Sequence, residues 1–248
     1  MSGAAEVVVD AGHSRVKWGR CRHGELVNSS LGACALDDPG PLLATLKRES
    51  IDQLIWSPQS HVAALGRLRN QFRALGVSCR TVTTGALDLP VAPAYPNLGV
   101  DRWLALQWPW LQTRNAFCVV DCGTAVTVDA VDADGRHLGG WIMAGLRTMM
   151  KGFDLTLPGL PAPEPAPETS MKLDPARDSA SAIGRGIGLQ LIGGVDQALG
   201  RLEATLGGQF ACWLTGGDAP LLVDALDRPV RQEPHLVLRG LALAGTAP

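Results

Sequence analysis

Short apolar runs rich in β-branched residues alternate along the chain with segments whose apolar residues recur at helical spacing. The run "EVVVD" at residues 6–10 predicts a buried strand, and "SRVKWGRCR" with "ELVNSS" predicts a hairpin that turns at Gly24. A helix is predicted from Pro41, and another in the segment that ends at Gly76. Strands are predicted in "DQLIWSP" and "SCRTVT". This order of elements predicts an alternating α/β fold.

The second half of the chain follows a similar plan. A helix interrupted near Pro109 is predicted in "DRWLALQWPWLQ", a strand in "NAFCVVD" and a hairpin in "TAVTVDAVDADGRHLGGWIM". A short helix in "AGLRTMMKG" and a long helix from about Ser179 are separated by a Pro-rich segment, which predicts an extended surface loop. The strand "FACWLTGG" and the helix "PHLVLRGLALAG" complete the chain. We therefore expect two domains, residues 1–113 and residues 114–248.

The two halves also share a motif at the end of their first strand. One apolar run ends in Asp10, one residue before Gly12, and a second ends in Asp121, one residue before Gly123. When the two aspartates are aligned, the glycines align as well, and so does a later turn glycine in each half. Internal repeats of this kind indicate a duplicated structural unit.

Composition narrows the class of protein without identifying it. The 248 residues are 46% hydrophobic and 19% charged, as in ordinary globular enzymes. With 22 basic and 24 acidic residues, no excess of positive charge indicates a nucleic-acid partner. No apolar run approaches the ~20 residues of a membrane span, and no signal peptide is evident. The six cysteines include no Cys-x-x-Cys pair, which argues against zinc and fits a reducing cytoplasm, and we interpret Cys118 and Cys122 as small buried residues.

A strand that ends in Asp-x-Gly and continues into a hairpin suits a nucleotide. Glycine has no Cβ, so a phosphate can approach the backbone, and successive N–H groups at a turn can donate to phosphate oxygens. Asp10 at the strand end can hold Mg²⁺, directly or through water, and Lys17 on the next strand can reach a phosphate. The alternative, two ordinary Asx turns in a duplicated fold, is less favoured because the motif occurs twice in register.

Two further motifs each allow a structural and a functional interpretation. In "LGVDRW", Asp101 stands at an apparent helix start, where a carboxylate is stabilised by the helix dipole. A carboxylate beside the Arg102 guanidinium can also orient a small anionic substrate and accept a proton. In "LTGG", Gly216 and Gly217 offer backbone that can accommodate an adenine ring or cap a helix.

Taken in order, these motifs resemble those of type III pantothenate kinases, a family of the acetate-kinase, sugar-kinase, Hsp70 and actin superfamily. The resemblance covers nearly the whole chain, and "LGVDRW" and "DCGTAVTVD" are its most specific parts. It implies two ribonuclease-H-like α/β domains with a nucleotide cleft between them. The implied activity is the ATP-dependent phosphorylation of pantothenate to 4'-phosphopantothenate, the first step of coenzyme A biosynthesis.

The resemblance also implies a role for each matching position. Those implied for ATP binding are Asp10, Gly12, His13, Lys17, Gly123, Thr124, Gly216 and Gly217. Those implied for pantothenate binding are Tyr95, Gly99, Val100, Asp101, Arg102 and Ser179. Among these, Asp101 would accept the hydroxyl proton and Arg102 would bind the substrate carboxylate. Asp121 would hold a monovalent cation, K⁺ or NH₄⁺, and Asp10 would lie near the Mg²⁺ on the phosphates. The family forms homodimers, in which the long helix supplies a substrate contact from the partner chain.

The sequence departs from the family pattern at four positions. His13 stands where the family has Asn, Ala144 where it has Pro, and Ser179 where it has Thr, while Tyr95, the only tyrosine, lies closer to Gly-x-Asp-Arg than usual. His13 is either a tolerated turn residue or has a hydrogen-bonding task of its own. These departures leave open a catalytically weak, nucleotide-binding regulatory dimer, and a different small-molecule kinase of the superfamily is a further alternative. We expect a cytoplasmic homodimer with no nucleic-acid or membrane partner.

Overall fold

A computed structural model of the chain describes residues 6–59, 63–157, 159–164 and 170–247. The chain divides into two compact units, one formed by residues up to Gln112 together with those from His235, the other by Thr113–Pro234. The division falls next to the expected boundary at residue 113. The last helix, however, belongs to the first unit, whereas the sequence analysis assigned it to the second domain.

The elements follow one another in two similar series. The first series is β1 (Glu6–Ala11), β2 (Arg15–Arg22), β3 (Glu25–Ala35), α1 (Gly40–Arg48), β4 (Gln53–Pro58), α2 (Ala63–Ala74), β5 (Ser78–Thr81) and α3 (Val100–Thr113). The second series is β6 (Phe117–Cys122), β7 (Ala125–Val131), β8 (His137–Ala144), α4 (Leu146–Thr156), α5 (Ser179–Leu206), β9 (Ala211–Thr215), α6 (Pro220–Val223), β10 (Val230–Gln232) and α7 (Leu236–Thr246).

Each unit contains one five-stranded sheet, and the two sheets have the same topology. The first has the order β3-β2-β1-β4-β5, and the second, read from its β8 edge, has the order β8-β7-β6-β9-β10. In both, the first three strands are antiparallel neighbours, while the central strand pairs in parallel with the fourth. The duplicated ribonuclease-H-like α/β fold is therefore confirmed.

The hairpin turns explain why the turn glycines recur. In the β2–β3 turn, His23 and Gly24 have φ values of 52° and 79°, so both lie in the left-handed region that two-residue hairpin loops require. Gly135 in the β7–β8 turn has a φ of 82°. A side chain at either glycine would be strained, which accounts for the second aligned glycine of the repeat.

Each unit has its own apolar core. That of the first includes Val7, Val9, Leu42, Leu54, Leu68 and Phe72. The core of the second lies between its sheet and α5, and it contains Cys118 and Cys122, both fully buried as expected. Burial of each large apolar side chain contributes about 1.5–3 kcal/mol, which makes these clusters the main source of stability.

Some elements differ from the prediction. Helix α3 continues through Pro109 without a break. Its Trp103, Leu104 and Leu106 are fully buried, and tertiary packing of this kind outweighs the hydrogen bond that proline cannot donate. The short elements α6 and β10 were not predicted, because four and three residues are too few to carry a periodic pattern.

The Pro-rich segment lies partly outside the described residues. Its described parts, 159–164 and 170–178, contain no helix or strand, in agreement with the predicted loop. Within the described part of the chain, no helix is long and apolar enough to cross a membrane.

Candidate functional site

In the first unit, polar residues collect where β1 and β4 end. These strands are parallel neighbours, so their carboxyl ends lie at the same edge of the sheet, which is where open α/β sheets bind ligands. Asp10 pairs in register with Ser57 on one side and with Lys17 on the other. The Ser57 hydroxyl lies 3.5 Å from Asp10 Oδ1. Asp10 and Lys17 therefore share one face at the end of the sheet, as their proposed roles require.

The first Asp-x-Gly turn is tight at its base. The Gly12 N–H donates to Arg15 O at 3.0 Å, and a Cβ on Gly12 would lie only 3.1 Å from the same oxygen. His13 and Ser14 form the exposed tip of the turn. The Gly12 N–H thus closes the turn, and the tip is the part of the loop that faces solvent.

Asp101 lies in the first turn of α3 and is largely buried. Its Oδ1 accepts a hydrogen bond at 2.8 Å from the N–H of the next residue, Arg102. Burial raises the pKa of Asp101 above its usual value, while the hydrogen bonds and the nearby His13 and Arg102 charges oppose this shift. A Cβ on Gly99 would lie 2.7 Å from Asp101 Oδ1, so glycine is needed there for the carboxylate to fold back over the helix start.

The structure brings Tyr95 and Arg102 together. Arg102 is only 8% exposed, and its Nη1 donates to the Tyr95 hydroxyl at 2.9 Å. A fixed guanidinium with a phenol beside it can bind a carboxylate. Val100, the first residue of α3, is half-exposed beside them.

Gln59 contacts Asp101, and the sequence did not predict this contact. It directly follows β4, and its side-chain amide, oriented to satisfy both of its hydrogen bonds, contacts both the carboxylate and the backbone N–H of Asp101. Its only sequence signal was its position after a strand that is the parallel neighbour of β1.

In the second unit, Asp121 stands near the end of β6, between its register partners Thr127 and Thr215. Gly216 follows Thr215 with a φ of 93°. A Cβ there would lie 2.5 Å from Asp121 Oδ1 and would collide with the carbonyl oxygen of Cys122. At Gly217 the same atom would meet nothing within 4 Å. The two glycines therefore differ: close packing requires the first, whereas the second is exposed with open space beside it.

The second Asp-x-Gly turn is fixed by the start of α4. The Gly123 N–H donates to Ala125 O at 3.0 Å. The Thr124 carbonyl accepts hydrogen bonds from Gly145 N at 3.1 Å and from the Thr148 hydroxyl at 2.6 Å. Ala144 ends β8 opposite Ala125. The conformation of the second Asp-x-Gly turn is therefore stabilised by hydrogen bonds from the start of α4.

Asp218 is a second acidic residue at this loop, and the sequence analysis did not identify it. Its N–H donates to Cys122 O at 2.9 Å. Burial raises the pKa of its carboxyl group, and the Arg147 guanidinium, 3.6 Å away, acts in the opposite direction. The signal in the sequence was an acidic residue directly after the glycine pair.

Ser179 is the first residue of α5 and is exposed. The helix is capped by Asp178, whose carboxylate accepts from Ser181 N at 2.9 Å. Ser179 belongs to the second unit, whereas Tyr95 and Gly99–Arg102 belong to the first.

Among the described residues, no group of three or more His, Cys, Asp or Glu side chains could hold a metal ion by itself. Asp10 and Asp121 each offer carboxylate oxygen, a ligand type that suits Mg²⁺ and K⁺. Such a donor set fits ions whose remaining ligands come from a nucleotide or from water.

Comparison with known proteins adds sequence and structural relatives. The profile of the family described as "Type III pantothenate kinase" matches residues 6–201. A type III pantothenate kinase of Ectopseudomonas mendocina is 42% identical over 151 residues, which cover 60% of this chain and 60% of that protein. One from Nitrosococcus oceani is 29% identical over 95% of this chain and 92% of its own length. A conserved Baf family protein of Campylobacter jejuni has the same fold, with a TM-score of 0.61 at 19% identity over 95% of this chain and 94% of its own.

The two adjacent glycines after β9 allow a matched test of the loop geometry. Gly216→Ala should lower the free energy of unfolding by about 2–5 kcal/mol, because it combines a strained φ with a backbone collision. Gly217→Ala should stay within about 0.5 kcal/mol of the wild type, as surface changes usually do. Equilibrium urea unfolding of both variants measures the difference. Equal effects at the two positions would contradict the close packing described here.

Proposed function

Because the chain belongs to the type III pantothenate kinase family, we propose that it transfers the γ-phosphoryl group of ATP to the hydroxyl group of pantothenate. The product is 4'-phosphopantothenate, and the reaction opens coenzyme A synthesis. The observation that carries the proposal is the arrangement of Asp101 beside Arg102 and Tyr95 at the start of α3. This arrangement offers a proton acceptor and a carboxylate-binding group within one turn of helix.

The substrate end of the reaction is assigned to the first unit. Arg102 binds the pantothenate carboxylate, and Tyr95 holds the guanidinium in place through its hydroxyl. Asp101 accepts the proton of the attacking hydroxyl. Its raised pKa suits this role, because a base whose pKa moves towards the working pH is better matched to proton transfer. Positioning dominates phosphoryl transfer, so the proton is taken late in the reaction.

The nucleotide end is assigned to the two Asp-x-Gly turns. Asp10 would hold Mg²⁺, directly or through water, and Lys17, on the same face of the sheet, would neutralise phosphate charge. In the second unit, Thr124 contacts ATP, and Gly216 and Gly217 lie at the adenosine. The open space beside Gly217 supports this assignment. When bound, Mg²⁺ supplies charge neutralisation on the phosphates. The protein residues named here would bind and orient the nucleotide.

The base assignment is tested by Asp101→Asn. The amide is nearly isosteric and keeps an oxygen that can accept from Arg102 N, but it cannot take a proton. With saturating ATP, Mg²⁺ and pantothenate, kcat should fall by about 10²–10⁴-fold. Omission of pantothenate from the wild-type assay should abolish ADP release, which also separates a kinase from a nucleotide-binding regulatory protein.

Stability provides the control for this variant. Because burial raises the pKa of Asp101, the ionised carboxylate destabilises the folded chain at neutral pH, and this cost fades as the pH falls through the folded pKa. Asp101→Asn should therefore be at least as stable as the wild type at pH 7, with a smaller difference in acid. Near-wild-type turnover in a stable variant would remove Asp101 from the mechanism.

A monovalent cation, K⁺ or NH₄⁺, is assigned to Asp121. Its neighbours across the sheet are two threonines, so the surrounding ligands are oxygen atoms. Replacing K⁺ by Na⁺ should lower turnover by roughly tenfold or more, which corresponds to about 1.4 kcal/mol of lost transition-state stabilisation. Asp121→Ala should be slow in both salts and insensitive to the exchange. Wild-type activity that is indifferent to the cation would contradict the role of Asp121.

We also assign a homodimer, formed through α5. One side of this helix carries Gly186, Gly193 and Gly200 at seven-residue spacing, and a Cβ at any of them would meet nothing within 4 Å. Leu189 on the same helix is 58% exposed. Glycines allow close approach of a second backbone, and an exposed large apolar residue is stabilised when a partner covers it. In such a dimer, Ser179 would contact the substrate of the partner chain.

Leu189→Arg should convert the dimer to monomer, because burial of an unpaired guanidinium in an apolar interface is costly. Sedimentation velocity at micromolar concentration measures the state. The matched control is Ala74→Arg, which introduces the same charged side chain at an exposed position of α2 and should leave the dimer intact. A monomeric wild type would refute the assignment, and an unchanged pantothenate KM in Ser179→Ala would refute the substrate contact alone.

A further inference from the structure

Gln59 is a buried polar residue to which the reaction scheme above gives no role. Only 6% of its surface is exposed. Its N–H donates to Ala11 O at 3.0 Å, a bond that extends the β1–β4 pairing by one residue beyond the end of β4. The backbone of Gln59 is therefore held by the sheet, independently of the helix that its side chain contacts.

Both ends of the Gln59 amide meet Asp101. The nitrogen Nε2 donates to Asp101 Oδ1 at 3.2 Å, and Oε1 accepts from the Asp101 N–H at 3.2 Å. A primary amide supplies a donor and an acceptor without carrying a charge, so this fork cannot be reproduced by a hydroxyl or a carboxylate. The contact holds both the side chain and the backbone nitrogen of Asp101 against the residue that follows β4.

The hydrogen bonds also distinguish the two carboxylate oxygens. Arg102 N and Gln59 Nε2 both donate to Oδ1. An oxygen that accepts two such bonds is anchored and less basic than its partner, so the remaining oxygen, Oδ2, is the better proton acceptor.

We propose that Gln59 is the positioning residue of the reaction, which anchors Oδ1 of Asp101 and leaves Oδ2 to receive the proton of the substrate hydroxyl. The proposal rests on the function assigned to Asp101. In the step itself, the O–H bond of the substrate breaks, its oxygen bonds to the γ-phosphorus as the bond to ADP breaks, and the proton passes to Oδ2.

Three groups act on the Asp101 carboxylate in the same direction. The Gln59 amide after β4, the Arg102 guanidinium and N–H on α3, and the His13 ring in the β1–β2 turn all favour the ionised form, whereas burial opposes it. Loss of the Gln59 donor should therefore raise the pKa of Asp101. A residue with a purely structural role would change stability without moving this pKa.

The test uses Gln59→Leu and Gln59→Glu, with Gln71→Leu and Gln71→Glu as matched controls at an exposed position of α2. Gln59→Leu should lower kcat at least tenfold with little change in the KM for ATP. The acid limb of its kcat–pH profile should move upward by roughly one pH unit, the size of shift that a lost hydrogen bond to a carboxylate produces. Gln59→Glu keeps the shape of the side chain but places a second carboxylate beside Oδ1, so its acid limb should move further. The Gln71 variants should match the wild type.

A measurement without turnover separates this proposal from the proposed function. The carboxyl pKa of Asp101 can be followed by ¹³C NMR in the full chain, with the signal assigned by its absence in Asp101→Asn. An upward shift in both Gln59 variants supports the positioning role, even if pantothenate proves not to be the substrate. If Asp101→Asn is inactive but the Gln59 variants keep the wild-type pKa and kcat, the positioning role is refuted and the base assignment stands. If Asp101→Asn turns over normally, the base assignment fails, and so does the proton route through Oδ2.

Discussion

The parallel pairing of β1 with β4, and of β6 with β9, is the constraint on which the candidate site depends. Parallel neighbours end at the same edge of a sheet, and the chain must leave both strands there through turns that expose backbone polar groups. Asp10 and Gln59 lie at that edge in the first unit, and Asp121 and Gly216 at the matching edge in the second. A slip of one residue in either strand pairing would turn the side chains of the slipped strand to the other face of the sheet. The residues that now lie together at that edge would then be separated.

Close packing at this edge is possible only because certain positions lack a side chain. A Cβ at Gly99 would meet the Asp101 carboxylate, and one at Gly216 would meet that of Asp121. In both units a carboxylate thus occupies the volume that the side chain of another residue would need. Gly99 thus leaves room for a carboxylate, and Gly216 leaves room for a carboxylate and for the Cys122 carbonyl group, whereas the open space beside Gly217 is a separate property.

The repeat, the hairpins and most elements could be predicted from the sequence, because strand and helix periodicities and the turn residues are local signals. Features that depend on tertiary packing could not be predicted in the same way, because the residues in contact are distant in sequence. Pro109 indicated a break that the buried face of α3 overrides, and the assignment of α7 to the first unit depends on contacts between residues distant in sequence. For the site, the motif residues were proposed from their type and order. Gln59 and Asp218 could not be proposed in this way, because their positions matter only once two strands pair side by side.

The two copies of the repeat differ at one position that bears on the chemistry. The first turn closes from Gly12 to Arg15 and the second from Gly123 to Ala125, so the first is one residue longer. The longer turn places Lys17 opposite Asp10, whereas the position opposite Asp121 is filled by the neutral Thr127. A positive charge beside the second carboxylate therefore cannot come from the corresponding position of the chain. A bound monovalent cation carries the same charge as a lysine side chain, so the proposed K⁺ would supply at the second copy of the motif the charge that Lys17 supplies at the first.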